Sequence, residues 1–225
     1  MADVLAIFAH PDDETFICGG SLAQFAAKGQ KVALVCATKG EMGRRVGVPP
    51  TATRETLPKL RETELRNACA ALSIENLTFL GYRDKTLEIQ PIDEMVDSLV
   101  HILNDEHPSV VITFHERLGG HQDHCTIGRA ARLAFERYAK DCKDDPTLLY
   151  VAWAGMASDP KAYGLDPKDI VQVDVRDALA QKLKAFRAHK TQSDLNSWLW
   201  KKDARAMDRL SAHEYFIRAE GPRVL

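Results

Sequence analysis

The run Val4-Leu5-Ala6-Ile7-Phe8, followed at once by Ala9-His10-Pro11-Asp12-Asp13-Glu14, narrows the possible folds more than any other stretch of the chain. Five consecutive apolar residues show no period-2 alternation, so a strand made from them is buried on both faces, as in a parallel sheet covered by helices. An imidazole and three carboxylates then stand at that strand's carboxyl end, where open α/β sheets bind ligands.

A second run of the same kind, Lys31 to Ala37, lies one helix length further on. Between the two, Gly19-Gly20 is expected to close the loop, Ser21 to cap a helix through Lys28, and Gly29 to stop it. Strand, helix and strand in that order form a βαβ unit with parallel strands and a right-handed crossover. Further helices are expected from Pro58 toward Ser73, from Ile92 to Glu106, from a Thr126 cap to about Tyr138, and from Asp177 to His189. Strands are expected at Asn76 to Leu80, Val110 to Phe114, Leu148 to Ala154, Ile170 to Val175 and Tyr215 to Ile217. The whole of residues 1–225 then reads as a single α/β domain, a mostly parallel sheet flanked by helices, long enough to bury its core without disulfides.

A net charge of −2 with no block of like charge gives no general attraction to nucleic acid or to an anionic membrane, and points to a small neutral or anionic substrate. Cys18, Cys36, Cys69, Cys125 and Cys142 are odd in number and lack CxxC spacing, so they read as reduced thiols. No basic and apolar leader follows Met1, and no apolar stretch approaches 18 residues. A cytoplasmic location is therefore expected.

His10 and Asp13 are three apart at a strand-to-helix turn and can point the same way; His124, in Gly120-His121-Gln122-Asp123-His124 after a later strand, completes two imidazoles and one carboxylate. Three protein ligands with an open position suit a catalytic rather than a structural zinc, although the same set also accepts iron, cobalt or manganese. Asp12 is then the natural general base for an attacking water. His121 could stabilise a developing oxyanion as an imidazolium, with Asp123 holding its charge state or orientation. The HPDDE stretch taken alone is equally well explained as a helix start, with acids near the positive pole. Lys39 to Thr56 is a long irregular stretch carrying Gly40, Gly43, Gly47 and two prolines among Glu41, Arg44, Arg45, Arg54 and Glu55. Arg54 suits a substrate carboxylate and Asp84 suits sugar hydroxyls, while solvation and turn formation explain either as well. His189 and Gln192 follow a helix end, which by itself explains the histidine.

AHPDDE near the start with GHQDH about halfway along resembles the LmbE-like, or PIG-L, family of zinc-dependent N-acetylglucosaminyl deacetylases. TKGEMGRRVGVPPTATRETLPKLRETEL, GYRDKTLE and RAHKTQ resemble the branch of that family acting on N-acetylglucosaminyl-malate in bacillithiol synthesis. The resemblance implies a Rossmann-like fold, zinc on His10, Asp13 and His124, Asp12 as base, and His121 as oxyanion stabiliser with Asp123 beside it. It implies substrate contacts from Glu41, Arg54 and Asp84, with Arg54 on a carboxylate. Gln122 stands where the family often has proline. Relatives often form homo-oligomers. Hydrolysis of bacillithiol S-conjugates or of short chitin sugars would use the same site, and a sugar- or nucleotide-binding module without catalysis is the alternative outside enzymes. The absence of GxGxxG after a strand and of GxxxxGK[ST] speaks against its nucleotide form.

Overall fold

The computed structural model describes residues 1–45, 49–143 and 145–220; Gly47 of the long loop lies outside them. Seven strands form one sheet: β1 (Val4–Phe8), β2 (Val32–Thr38), β3 (Asn76–Tyr82), β4 (Val110–Thr113), β5 (Thr147–Ala152), β6 (Ile170–Asp174) and β7 (His213–Glu220). Among the described residues eight α-helices accompany it: α1 (Asp13–Ala27), α2 (Leu57–Leu72), α3 (Ile92–Glu106), α4 (Gln122–Asp141), α5 (Ala154–Ser158), α6 (Leu179–Ala188), α7 (Lys190–Ser193) and α8 (Asp203–Met207). The strand order is β3-β2-β1-β4-β5-β7-β6, with β7 antiparallel to both its neighbours and the first five strands parallel. Every residue of β1, β2, β4 and β5 is buried, as continuous apolar runs require, whereas the edge strand β3 is half exposed. No helix among the described residues is long and apolar enough to cross a membrane.

The order reverses between β1 and β4, so the crevice of an open α/β sheet opens over their carboxyl ends. Both histidine motifs follow those two strands. Side chains pin the strands there: Thr38 Oγ1 donates to the Ala9 carbonyl at 2.9 Å and Thr113 Oγ1 to that of Ile7 at 2.9 Å.

Two local expectations differ from the structure. The first helix begins at Asp13, and Gly19, Gly20 and Ser21 lie inside it, at a kink where Cys18 has φ −135° and ψ 20°. Backbone N–H groups of Gly20 and Ser21 donate to the Glu214 carboxylate of β7 at 2.8 and 2.7 Å, and the Ser21 hydroxyl joins them at 2.6 Å. Lys182 pairs with the same buried carboxylate. Amides released by the kink are thus satisfied from the far end of the chain, which no local pattern around Ser21 reveals. Likewise α4 starts at Gln122 and not after Thr126; its cap is His121, whose Nδ1 accepts the Asp123 N–H at 3.1 Å.

Further along α4, Gly128 passes against the end of β4, where an added Cβ would meet the Phe114 carbonyl oxygen at 2.2 Å and its carbon at 2.9 Å. Backbone cannot yield cheaply there, and Phe114 is the residue whose ring stacks on His124. Gly128→Ala is expected to destabilise the fold by about 1–3 kcal/mol, the usual cost of an overpacked interior, as read from urea unfolding midpoints.

Candidate active site

His10 emerges from β1, Asp13 opens α1, and His124 lies in the first turn of α4 after β4. His10 Nδ1 stands 3.2 Å from His124 Nε2 and 3.6 Å from Asp13 Oδ2, while His124 Nε2 stands 3.3 Å from Asp13 Oδ1. Each imidazole is oriented by its other nitrogen. His10 Nε2 faces Asp123 Oδ2 at 3.1 Å and Asp84 Oδ1 at 3.2 Å, and His124 Nδ1 faces the Gly119 carbonyl at 2.9 Å. Those partners only accept, so each outward nitrogen carries a proton, and the inward nitrogen of each ring is the one that can give its lone pair to a cation. Two lone pairs and a carboxylate oxygen converging on one point call for a cation. A tetrahedral ion ~2.0–2.1 Å from its ligands sets them roughly 3.3 Å apart, close to the separations of 3.2–3.6 Å seen here, the two histidines facing different oxygens of Asp13.

The electrostatics show a demand for positive charge at the same point, which a proton on an inward nitrogen or a metal ion in its place can meet. Burial alone would lower the pKa of His10, but the Asp123, Asp13 and Asp84 carboxylates outweigh it and push it up to about 12. His124 is raised in the same way, burial being overcome by Asp13, and the two imidazoles hold Asp13 far below the carboxylate range against its own burial. Asp12 behaves differently. Burial pushes it up to about 6, opposed by the Arg61 guanidinium and reinforced by the charge of Asp13. A second grouping, His10 with His121 and Asp123, is also close enough for a metal. Its members are engaged elsewhere: Asp123 accepts the N–H groups of Lys85 and Leu87 at 2.7 and 3.2 Å, and His121 Nδ1 caps α4.

These bonds revise two expected roles. The fully buried Asp123 turns its carboxylate to His10, and its tie to His121 runs through its backbone N–H. His121 is lowered by burial and by its neighbours His10 and His124, and a ring accepting at Nδ1 is neutral with its proton on Nε2. This geometry favours the neutral ring over the imidazolium and leaves the Nε2–H to donate.

A cavity of about 280 Å³ brings together His10, Asp12, Asp13, His121 and His124, with Asp84, Lys85, Arg61, Met42, Gly43 and Gln192 completing its wall. Of the residues expected on substrate, Asp84 lines it. Glu41 and Arg54 are not among its lining residues and brace the loop beside it: Glu41 Oε2 accepts the Asp84 N–H at 3.0 Å, and Arg54 Nη1 donates to the carbonyls of Glu41 and Gly43 at 3.1 and 2.6 Å. Gln192, which the sequence marks only as a residue after a helix end, lines the cavity, and so does Arg61, which the sequence does not single out. Arg61 Nη1 donates to the Gly40 carbonyl at 2.9 Å, while Nη2 reaches the Pro11 carbonyl and, at 3.0 Å, Asp12 Oδ2. Gln192 exchanges two hydrogen bonds with the Arg44 backbone, both 3.1 Å. One signal was available for Arg61: it falls on the same buried face of α2 as Leu57, Leu65 and Leu72, where an unpaired charge would be costly.

Known proteins resemble the chain over nearly its whole length. A Bacillus cereus protein named "Probable N-acetyl-alpha-D-glucosaminyl L-malate deacetylase 2" is 34% identical over 95% of this chain and 96% of its own. The Bacillus subtilis protein of the same name is 39% identical over 85% of this chain and 83% of its own. Among solved structures, a conserved protein of Thermus thermophilus superposes with a TM-score of 0.70 at 23% identity, covering 100% of this chain and 98% of that one. The N,N'-diacetylchitobiose deacetylase of Pyrococcus horikoshii gives 0.67 at 23% identity, over 96% and 84%. The pattern of the PIG-L family, described as GlcNAc-PI de-N-acetylase, matches residues 5–135, from β1 through most of α4, and so takes in both histidine motifs. This chain belongs to that family.

Proposed function

We propose that the chain hydrolyses the N-acetyl group of N-acetylglucosaminyl L-malate to acetate and a free amine, with zinc as cofactor, as a step of bacillithiol synthesis. The observation that carries this reading is the convergence of His10 Nδ1, His124 Nε2 and Asp13 at 3.2–3.6 Å in a cavity shared with Asp12 and His121. The names of the two Bacillus relatives support the substrate. Zinc held by His10, Asp13 and His124 would supply Lewis acidity toward the acetyl carbonyl and acidify a nearby water.

The chain's own groups do the rest. Asp12 takes a proton from the attacking water and returns it to the leaving amine nitrogen, one carboxylate serving as base and then as acid. His121 donates its Nε2–H to the carbonyl oxygen as charge builds there. Asp84 receives a sugar hydroxyl. Arg54, with Nη1 on the loop carbonyls, turns the remainder of its guanidinium to the malate carboxylate, and Glu41 keeps Asp84 and the loop in register.

The test is amide hydrolysis by the metal-loaded protein, read as the free sugar amine formed from N-acetylglucosaminyl-malate, from bacillithiol S-conjugates and from N,N'-diacetylchitobiose, with acetate as the second product of the first and the last. The malate glycoside is expected to give the highest kcat/KM by at least ~10-fold, the discrimination one extra charged contact provides. An equal or better rate on either competitor overturns the substrate.

A further inference from the structure

Asp12 holds its backbone at φ 131°, a conformation that side-chain-bearing residues rarely adopt. Its carboxylate faces the cavity only while that turn persists, and one of the bonds that hold the turn is anchored outside both histidine motifs. The Asp12 N–H donates to Glu14 Oε2 at 3.0 Å. The other oxygen of Glu14, Oε1, accepts the Thr15 hydroxyl at 2.6 Å and faces His189 Nε2 at 2.7 Å. Glu14 is 1% exposed and His189 0%. His189 Nδ1 makes no hydrogen bond among the described residues, so the ring directs its polar capacity at Glu14 alone.

The segment carrying His189 is itself pinned on two further sides. Thr191 donates its N–H and its hydroxyl to the Glu64 carboxylate of α2 at 2.8 and 2.6 Å, and Gln192 grips the backbone of Arg44. His189 is therefore a fixed point against which Glu14 is held. A carboxylate so deeply buried needs a donor to stay in place. Without His189 only the Thr15 hydroxyl and the Asp12 amide would remain on Glu14, so the carboxylate would swing toward whatever water it could reach and loosen its hold on the Asp12 amide.

We infer that His189, acting through Glu14, is a positioning residue for Asp12: it fixes Glu14 Oε2 on the Asp12 amide and so keeps the strained turn, and the carboxylate it carries, aimed into the cavity. This role rests on Asp12 serving as the base in the reaction proposed above. His189 touches neither substrate nor the ligand triangle, so its loss should weaken turnover and leave substrate and metal binding intact.

The test compares His189→Leu, which keeps bulk and removes the donor, with His189→Gln, which keeps a donor at similar reach. Each is made in the wild-type and Asp12→Ala backgrounds, and kcat, KM and metal content are measured on the metal-loaded protein. In the wild-type background His189→Leu is expected to lower kcat by about 10–100-fold, the scale of a misplaced catalytic group, with KM within about 2-fold and metal per chain unchanged. His189→Gln is expected to recover most of that loss. In the Asp12→Ala background His189→Leu should have no further effect, because a residue acting through the base has nothing left to position. A merely structural role predicts the reverse: equal loss in both backgrounds, or a fall in kcat matched by a fall in metal content. Either result, or a Gln variant as poor as the Leu variant, overturns the inference. Where His189→Leu yields no folded protein, His189→Asn replaces it, its amide being too short to reach Glu14, and the same comparison decides. A wild-type protein that releases no acetate overturns the proposed function instead.

Discussion

Asp12→Ala is expected to keep its metal and to lose about 10²–10⁴-fold in kcat, the usual contribution of a positioned general base. Asp12 lies outside the ligand triangle, so metal content should not change. Its carboxylate is nevertheless at the cavity, 3.0 Å from Arg61 Nη2, on a turn whose φ of 131° costs of order 1–3 kcal/mol and persists only because the surroundings enforce it. The pH dependence follows with a definite sign. Burial raises the carboxyl to about 6 against the pull of Arg61, and the reaction needs the ionised form, so kcat should rise with pH through that region and level off above it. Arg61→Gln removes the opposing positive charge, so the acid limb should move to higher pH. Rates at saturating substrate between pH 4.5 and 8.5, with metal quantified on the same samples, check both statements. An Asp12→Ala protein within a few-fold of the wild-type rate would end the base assignment.

What the sequence disclosed is what lies close along the chain. Val4 to Phe8 and Val110 to Ile112 are uninterrupted apolar runs, each followed within a few residues by its polar cluster, so strand type and motif placement could be read together. Their adjacency was the step that needed the fold, and it follows from the reversal of strand order between them. Apart from the start of α4, the features that the sequence does not disclose depend on partners remote in sequence. Ser21 looks like a helix cap, but its N–H and hydroxyl meet Glu214 of the last strand. Asp123 stands next to His121's neighbour in sequence, yet its carboxylate crosses to His10, because the first turn of α4 aims it at the loop after β3. His189 looks like a histidine placed by a helix dipole and is buried against Glu14 instead. Arg54 fits a carboxylate by chemistry, and the structure adds that part of its guanidinium braces the loop. Charges on buried helix faces, as at Arg61 and Glu64, carry the one sequence signal that would have exposed these long-range bonds.

The second large effect concerns the ligand triangle and separates the residues that would hold a metal from those that orient them. His10→Ala and His124→Ala each remove one of three converging donors, and both metal and turnover should be lost, to less than about a tenth of an ion per chain after dialysis against a chelator. Asp123→Asn should act more mildly. The variant keeps all three donors but weakens the carboxylate that fixes the His10 tautomer, and such changes typically cost 10–100-fold in metal affinity. It also turns an amide toward the Lys85 and Leu87 N–H groups that the carboxylate now satisfies, so part of that cost will come from movement of their loop. Competition against a chelator of known affinity distinguishes the cases: the alanine variants should not fill at any practical metal concentration, whereas Asp123→Asn should fill when metal is raised and then recover much of its rate. If Asp123→Asn failed to fill while His124→Ala filled normally, the metal would sit on the alternative group of His10, His121 and Asp123, and Asp13 rather than Asp123 would be the orienting carboxylate.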